Sequence, residues 1–380
     1  MRFAFSEDQA ELKRGARRFL ATASSSERVR AAMATERGWD ADVWTRIATE
    51  LGWTALAIPE VYGGMAFGFV EIAAVMEEAG RALLCAPFLS TVCLAASAIV
   101  AGGSDATKRA LLPRIADGSA TATLAFSGKV SARRDHDGVV IDGAARHVLD
   151  GHSAAIILVV ATLDGRDEIV VVDGDARGVS RKALPTMDAT RKQTELGFEA
   201  ARGSLLGDAG TGARTLAVAL DHARVALAAE QVGAAERCLE MALEYAKTRE
   251  QFGRPIGSFQ AIKHKLADVF VRVESARSAA YHAAWIAAHR PEELATAAAM
   301  AKAYCSEAFF HAASESVQIH GGIGFTWEHD AHLFFKRARA SEALFGDPST
   351  MRERISDVIL SADGPKDPSS HGAGPPPRSG

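Results

Sequence analysis

The hydrophobic pattern of this chain changes its period twice, which strongly limits the folds available to it. Between about residues 119 and 212, segments such as DGVVIDGAARHVLDG and SAAIILVVATLDG are β-branched runs separated by Asp-Gly pairs, which favour β-hairpins. The flanking regions have helical character, and one apolar stripe of a long Ala-rich stretch contains Leu216, Leu220, Ala223 and Leu227. Helices, then strands, then helices predict an α+β layout of separate domains.

These changes of period also give the expected domain boundaries. We predict an N-terminal helical domain over residues 1–118, a middle β-domain over residues 119–213 and a C-terminal four-helix bundle over residues 214–362. Residues 363–380 are rich in Gly, Pro and Ser, and we expect them to be disordered because they hold too little apolar surface to bury. A chain of 380 residues is long enough for several such domains.

Local capping signals predict where three helices begin. Ser6 with Gln9 is typical of a capping box at the start of the first helix, and Thr350 with Glu353 predicts another at the start of the last. Ser258 is the expected N-cap of the second helix of the bundle.

Composition and charge exclude several classes of protein. A formal net charge of −4 with 48% hydrophobic residues is typical of a globular protein and leaves no basic surface for nucleic acid. The N-terminus lacks an apolar signal core and the longest apolar run is too short to span a bilayer, so we expect a cytoplasmic protein. Four cysteines without a CxxC pair are expected to be reduced core thiols: Cys85, Cys93, Cys238 and Cys305.

Two common kinds of cofactor site are also excluded. A di-iron site in a helical bundle needs Glu-x-x-His, and no glutamate here is followed by His at that spacing. The Gly-rich pieces GDAGTG and GGIG do not follow a strand and open a helix, so they are poor dinucleotide fingerprints. We therefore predict no metal centre and no Rossmann nucleotide site.

Two segments of the C-terminal half carry the most specific signal. TREQFGRPIGSFQAIKHKLADV and QIHGGIGFTWEHDAHLFFKRA resemble the R-x-x-FG-x-x-I-x-x-x-Q-x-x-x-x-x-LAD and Q-x-x-GG-x-G-x-x-x-E patterns of the acyl-CoA dehydrogenase family. The resemblance covers about residues 6 to 360, including LGWTALAIPEVYGG in the first domain. It implies FAD bound between the domains of a dimer or a tetramer of dimers. It also implies α,β-dehydrogenation of an acyl-CoA or acyl-carrier thioester, with electron-transfer flavoprotein as the acceptor.

The resemblance further implies that a set of C-terminal residues contacts the FAD of the neighbouring subunit. An arginine offers a planar, permanently charged fork to the pyrophosphate, and glutamines can bond phosphate, ribose or adenine. A phenylalanine gives the cofactor an apolar face, and two glycines allow close approach of the backbone. The predicted cofactor-binding residues are Arg249, Gln251, Phe252, Gln260, Gln318, Gly321 and Gly322.

The chain departs from the family at the catalytic base. Most members place a Glu in a Y-E-G-T-like turn, which here is ALFGDPST with Phe345 at that position. A minority place it on the first bundle helix in an E-R-x-x-x-A context, which here is HARVALA with Ala223. Neither side chain can accept a proton, so the catalytic residue is unknown. Glu342, Asp221 and His222 lie near these two positions and are the remaining candidates, although solvated or structural roles are commoner for such groups.

The middle domain departs as well. The T-E-P-x-A-G-S-D loop of the family is represented only by something like TLAFSGKVSAR, and its W-I-T piece aligns with His147, Val148 and Leu149. The chain thus keeps what it would contribute to a neighbour's FAD and loses what would hold its own. This pattern resembles the flavin-poor subunit of hetero-oligomeric acyl-CoA dehydrogenases of steroid side-chain degradation.

Two other interpretations are open at the level of the sequence. The chain could be a self-sufficient homo-oligomeric dehydrogenase with a relocated base. It could also be a scaffold subunit that binds no flavin. The acyl group cannot be read from the sequence, because the pocket is built from several helices.

Overall fold

The structure, a computed structural model, describes residues 5–136 and 138–362. Helices come first, a β-sheet follows, and long helices complete the described chain, which confirms the predicted α+β class. The segment expected to be disordered, residues 363–380, lies outside the described residues. The predicted boundary at 118/119 lies between the last N-terminal helix and the first strand, whereas that at 213/214 lies in the first turn of the helix Gly212–Thr248. The domain boundaries stay predictions.

The N-terminal part is built from short helices around one long buried one, α4. Ser6 and Gln9 form the predicted capping box, since Ser6 Oγ accepts from the Gln9 amide at 3.2 Å and Gln9 Oε1 from the Ser6 amide at 2.9 Å. A π-helical segment, Leu89–Ala96, runs directly into α5. The helices are α1 Glu7–Ala23, α2 Ser26–Ala34, α3 Ala41–Thr49, α4 Phe69–Arg81, α5 Ser97–Gly102 and α6 Asp105–Ala116.

The middle part is one largely antiparallel sheet. Its pairings run β4-β2-β3-β7-β5 and return from β5 to β4, so the strands curl upon themselves around an apolar interior. The Asp164-Gly165 pair forms a predicted hairpin turn between β4 and β5, with positive φ at both residues. The strands are β1 Ala122–Ala125, β2 Gly128–Asp135, β3 Gly138–Leu149, β4 Ile156–Leu163, β5 Arg166–Asp173, β6 Val179–Leu184 and β7 Gln193–Leu205.

The C-terminal part is a helical bundle around the longest helix, α7. A small hairpin, β8 with β9, separates α7 from α8 at one end of the bundle. Since α8 returns along α7 and α9 returns along α8, the C-terminal ends of α7 and α9 lie together. The elements are α7 Gly212–Thr248, β8 Glu250–Gln251, β9 Arg254–Pro255, α8 Gln260–His289, α9 Leu294–His320, α10 Ala331–Ala343 and α11 Pro348–Ala362.

Two glycines allow α4 and α7 to touch backbone to backbone. A Cβ added at Gly233 would lie 1.7 Å from the carbonyl oxygen of Glu77, and one added at Gly80 would lie 1.9 Å from that of Glu230. No side chain fits at such distances, so glycine is required at both positions. This contact joins the N-terminal helices to the bundle and fixes the position of α7.

Two of the three predicted caps are wrong. The helix α8 begins one residue after Phe259 without a side-chain cap, because a 3₁₀ turn precedes it, and the Ser258 hydroxyl is buried without a hydrogen-bond partner in the described chain. At the last helix, Asp347 accepts from the amide of Thr350 at 2.8 Å. An aspartate directly before Pro348 is a better start than Thr350, since proline favours the first helical position.

The cysteines, possible metal ligands and long apolar helices bear on the classes of protein considered from the sequence. All four cysteines are buried and free, and burial raises the pKa of Cys85 to about 12. Among residues 5–136 and 138–362, no cluster of His, Cys, Asp and Glu could hold a metal ion. No helix in these ranges has the length and apolar character needed to cross a membrane.

Candidate functional site

The hairpin between α7 and α8 presents an aromatic side chain to solvent. Phe252 is 91% exposed and has a φ of +54°, a left-handed conformation that is costly for a bulky residue. Its ring contacts that of Phe259, with centroids 6.1 Å apart, and Arg254 lies over the Phe259 ring at 4.2 Å. A strained turn that exposes an aromatic ring contributes nothing to the core of its own chain, which indicates a surface that receives another molecule.

The second predicted segment lies beside this hairpin. Tyr245, one turn before Arg249, packs against His320, with ring centroids 4.6 Å apart. His320 directly precedes Gly321 at the end of α9. The fold therefore brings the two segments to the same end of the bundle. Each of the seven predicted cofactor-binding residues is exposed there: Arg249, Gln251, Phe252, Gln260, Gln318, Gly321 and Gly322.

The chemistry of this surface, which we name the bundle-end site after those seven residues, suits a nucleotide diphosphate. In the described chain the guanidinium of Arg249 has no ion-pair or hydrogen-bond partner, so its fork is free for an anion. A Cβ added at Gly321 or Gly322 would meet no atom within 4 Å, so the bare backbone is open to a ligand. An apolar ring, a free cation and open backbone together suit the phosphate and base of a nucleotide.

A cleft of about 690 Å³ separates the sheet from the bundle. Phe126 and Phe345 face each other across it, with ring centroids 6.2 Å apart. His147, which aligns with the family's flavin-packing piece, also lines the cleft; its φ is +56° and its Nδ1 lies 3.0 Å from Gln193 Oε1. Among the described residues that line the cleft, the one carboxylate is that of Asp188.

Asp188 belongs to a buried ionic cluster that the sequence analysis missed. It pairs with Arg337 at 3.1 Å, and Arg337 also donates to Glu230 at 3.0 Å. Glu230 receives two further bonds from Arg191, at 2.7 and 2.5 Å. Burial opposes the charge, yet the two arginines outweigh it and lower the pKa of Glu230. The cluster connects the sheet to the bundle. In the sequence it is indicated only by one glutamate, Glu230, inside an Ala-rich run.

The turn that replaces the family's usual base is held by two buried cations. Phe345 has a φ of +59° and its carbonyl accepts from Arg224 Nε at 2.8 Å. Lys302 is fully buried and donates to the carbonyls of Glu342 at 3.0 Å and Gly346 at 2.9 Å. Burial lowers the pKa of Lys302 to about 8, so the amine is mostly protonated at neutral pH. The turn therefore presents a ring to the cleft and directs its carbonyls toward cations.

The alternative base position, Ala223 on α7, likewise has no free carboxylate beside it. Ala223 is fully buried. Asp221 pairs with Arg224 at 2.6 Å and with Arg354 at 2.8 Å. Glu342 pairs through its carboxylate with Arg339. Each candidate carboxylate near the two base positions is thus occupied by an arginine.

His222 is the remaining candidate, and it does not reach the cleft. Its ring stacks on Phe69, with centroids 4.2 Å apart, and lines a separate small pocket. Burial lowers the pKa of His222 to about 4, so the ring is neutral at neutral pH. None of the three remaining candidates, Glu342, Asp221 and His222, therefore places a free base in the cleft.

Comparison with known proteins gives consistent matches over the length of the chain. Residues 6–119 match the family model for the acyl-CoA dehydrogenase N-terminal domain, and residues 210–360 match that for the C-terminal domain. "Acyl-CoA dehydrogenase IpdE2" of Mycobacterium tuberculosis is 37% identical over 353 residues, which cover 93% of this chain and 98% of that protein.

Two solved structures are similar to the whole chain. The ChsE4-ChsE5 complex from Mycobacterium tuberculosis matches with a TM-score of 0.88 and 29% identity, over 95% of this chain and 99% of the other. The Tcur3481-Tcur3483 steroid ACAD matches with a TM-score of 0.86 and 31% identity, over 94% of this chain and 99% of the other.

Proposed function

The chain belongs to the acyl-CoA dehydrogenase family, and we propose that within this family it completes the FAD site of a partner chain. The members of this family are FAD-dependent oxidoreductases. In the proposal this chain is the flavin-poor subunit of a hetero-oligomer that dehydrogenates an acyl thioester between its α and β carbons. Its bundle-end site contacts the partner's cofactor, and the partner contributes the base.

One observation carries this proposal: the usual base position holds Phe345 in a turn fixed by Arg224 and Lys302. An α-proton beside a thioester is weakly acidic, so its removal needs a carboxylate held over it, and such bases contribute about 10²–10⁴-fold. If the turn shifted its register to bring Glu342 to the place of Phe345, three hydrogen bonds from two buried cations to its backbone carbonyls would have to break. Leaving those cations unpaired in the interior is costly, so the turn is not free to rearrange.

The cofactor is FAD, which supplies the acceptor for the hydride that leaves the β carbon. The residues of this chain would bind it rather than react with it. Arg249 would bond the pyrophosphate in a charge-assisted pair, and Phe252 would pack on an apolar face of the nucleotide half. Gln318 and the backbone of Gly321 and Gly322 would bond the remaining oxygens. Together these contacts would exclude water from the part of the cofactor that is far from the reacting atoms.

The structural neighbours support the choice of partner. The ChsE4-ChsE5 and Tcur3481-Tcur3483 structures each carry the names of two proteins, and the second is a steroid ACAD. We therefore propose a second acyl-CoA dehydrogenase-like chain as partner, an acyl-CoA as substrate and a steroid-derived acyl group as its class. Electron-transfer flavoprotein is the proposed acceptor of the electrons.

Purification with and without a partner tests the proposal. The chain is expressed alone and together with a candidate acyl-CoA dehydrogenase-like partner chain, and flavin absorbance and turnover are measured for both preparations. We expect bound flavin and turnover in the joint preparation alone. Flavin with turnover from this chain by itself would instead establish a self-sufficient enzyme. A partner complex that contains no flavin would establish a scaffold.

A further inference from the structure

A small pocket lies between α4, α5 and α7, away from the cleft. Its volume is about 260 Å³, and its walls include Ile58, Phe69, Val92, Val100, Val218 and His222. Apart from Ser97 and His222, the lining side chains are hydrocarbon.

This pocket is distinct from the cleft because it uses another face of α7. Val218 and His222 are four residues apart and line the pocket. Leu220 and Arg224 are also four residues apart and line the cleft. Residues at this spacing share a helix face, whereas neighbours two positions apart do not. The pocket is thus a separate site whose occupation needs no base in this chain and no FAD.

His222 is an unusual wall residue, because its hydrogen-bonding groups are unused. In the described part of the chain neither ring nitrogen has a hydrogen-bond partner; Nδ1 is buried, and Nε2 is the nitrogen that a molecule in the pocket can reach. The ring is held by stacking on Phe69, at 15° between planes, which fixes its orientation without bonding its nitrogens. Polar groups inside folded proteins are nearly always hydrogen-bonded, so an unpartnered Nε2 on the wall of a pocket indicates a missing partner.

We propose that this pocket binds a small apolar molecule that carries one uncharged oxygen function, and that His222 hydrogen-bonds to that oxygen. A neutral imidazole has one donor and one acceptor nitrogen, so it can meet a hydroxyl or a carbonyl. A charged ligand is disfavoured, since hydrocarbon walls would strip it of water without compensation. A pure hydrocarbon would fill the volume and still leave the imidazole unsatisfied.

The volume limits the size of the ligand. A cavity of about 150 Å³ in another protein holds one benzene molecule, so about 260 Å³ corresponds to roughly ten non-hydrogen atoms. A fused pair of rings or a chain of about eight carbons fits this limit, and an intact four-ring skeleton does not. The proposed occupant is therefore a bicyclic or medium-chain group with a ketone or hydroxyl.

Binding of two matched probes tests this inference. 1-Indanone and indane share the same fused rings, but indanone alone carries a carbonyl oxygen. Their dissociation constants are measured by calorimetry on the full chain in the form in which it purifies. We expect indanone to bind at least tenfold more tightly than indane. Equal affinities, or no binding of either probe, would overturn the inference, because an unpartnered imidazole would then have no role in selection.

A pair of variants locates the effect. His222→Phe keeps an aromatic ring against Phe69 and removes both ring nitrogens, so indanone should lose its advantage while indane still binds. His289→Phe is the control, because His289 is exposed at the far end of α8 and should leave both affinities unchanged. Discrimination that persists in a folded His222→Phe variant would contradict the assignment. Circular dichroism establishes the fold, and the wild-type comparison stands even if the variant does not fold.

Discussion

At the scale of single residues, Glu342 decides between the proposed function and a relocated base. Its carboxylate pairs with Arg339, and it is the Glu342 backbone carbonyl, not its side chain, that contacts Lys302. Glu342→Gln should therefore leave the dehydrogenation rate of the assembled oligomer within a few-fold of wild type. A loss of about 10²–10⁴-fold with unchanged flavin content is the result expected of a general base. That result would favour a self-sufficient enzyme.

Arg249 provides the corresponding test of the bundle-end site. Arg249→Ala removes a charge-assisted bond that is typically worth about 1.5–3 kcal/mol, so FAD should dissociate about ten- to a hundredfold more readily. Flavin occupancy of the assembled oligomer is measured by absorbance after gel filtration. Arg290→Ala is the matched control, since Arg290 is an exposed arginine just after the other end of α8 that pairs with Glu293 and lies over the Trp285 ring. Equal flavin retention in both variants would refute the assignment.

Because the imidazole of His222 is buried, the free energy of unfolding should depend on pH. Its pKa lies near 4 in the fold because of burial, and near 6.5 when the chain is unfolded. The unfolded chain therefore binds an additional proton between these values, so stability that is present above pH 6.5 is lost as the pH falls toward 4. Its packed neighbour is Phe69, and the adjacent Asp221 is neutralised by two arginines.

The check is the difference between wild type and His222→Phe in urea unfolding. The wild type should lose on the order of 1–3 kcal/mol more than the variant when the pH falls from 7 to 4.5. Parallel losses in the two proteins would show that the buried imidazole titrates as it does in the unfolded chain.

The sequence predicted which residues lie at the surface better than it predicted which residues contact each other. Arg249 and Phe252 lie in a Gly- and Pro-containing segment between two long helical stretches, which predicted a surface position, and both are exposed. The clamp on Phe345 could not be predicted, because Arg224 and Lys302 bond backbone carbonyls, and every residue type offers the same carbonyl. Such contacts are decided by packing of distant elements, which no local pattern encodes.

At the scale of elements, the contact between α4 and α7 depends on the absence of two side chains. Gly233→Ala would place a Cβ 1.7 Å from the carbonyl oxygen of Glu77, so the helices must separate. Overpacking of this kind typically costs about 1–3 kcal/mol, which urea unfolding measures. Gly15→Ala is the control, because its nearest neighbour would be a flexible Arg18 atom at 3.9 Å and alanine favours helix. A Gly233→Ala protein as stable as wild type would show that α4 and α7 can shift freely.

Elements were predictable where their signals are local. The capping box of Ser6 and the Asp164-Gly165 hairpin need only a few neighbouring residues, and both form as predicted. The predicted cap at Ser258 fails because the start of α8 is set by the hairpin and 3₁₀ turn that lead into it. The geometry of the preceding turn, and not the capping residue, determines where α8 begins.

At the scale of the whole molecule, the bundle-end site implies a second chain. Phe252, Phe325 and Trp327 are 91%, 72% and 62% exposed, so each leaves most of a large apolar side chain in solvent. Light scattering on the active preparation should therefore give a species of at least two chains. A monomer with full dehydrogenase activity would contradict a cofactor site shared between chains.

The composition of that assembly is the most discriminating measurement. If this chain contacts the partner's FAD but has no base of its own, each pair of unlike chains should hold one catalytically active flavin. Flavin absorbance per pair and the fraction bleached by substrate under anaerobic conditions give this number directly. Two bleachable flavins per pair would mean that the cleft beside Phe345 supports catalysis, despite the cations that fix its turn. One bleachable flavin would fit a second cleft that has no base, because Phe345 stands where the family's carboxylate does and the bonds from Arg224 and Lys302 to backbone carbonyls hold the turn in place.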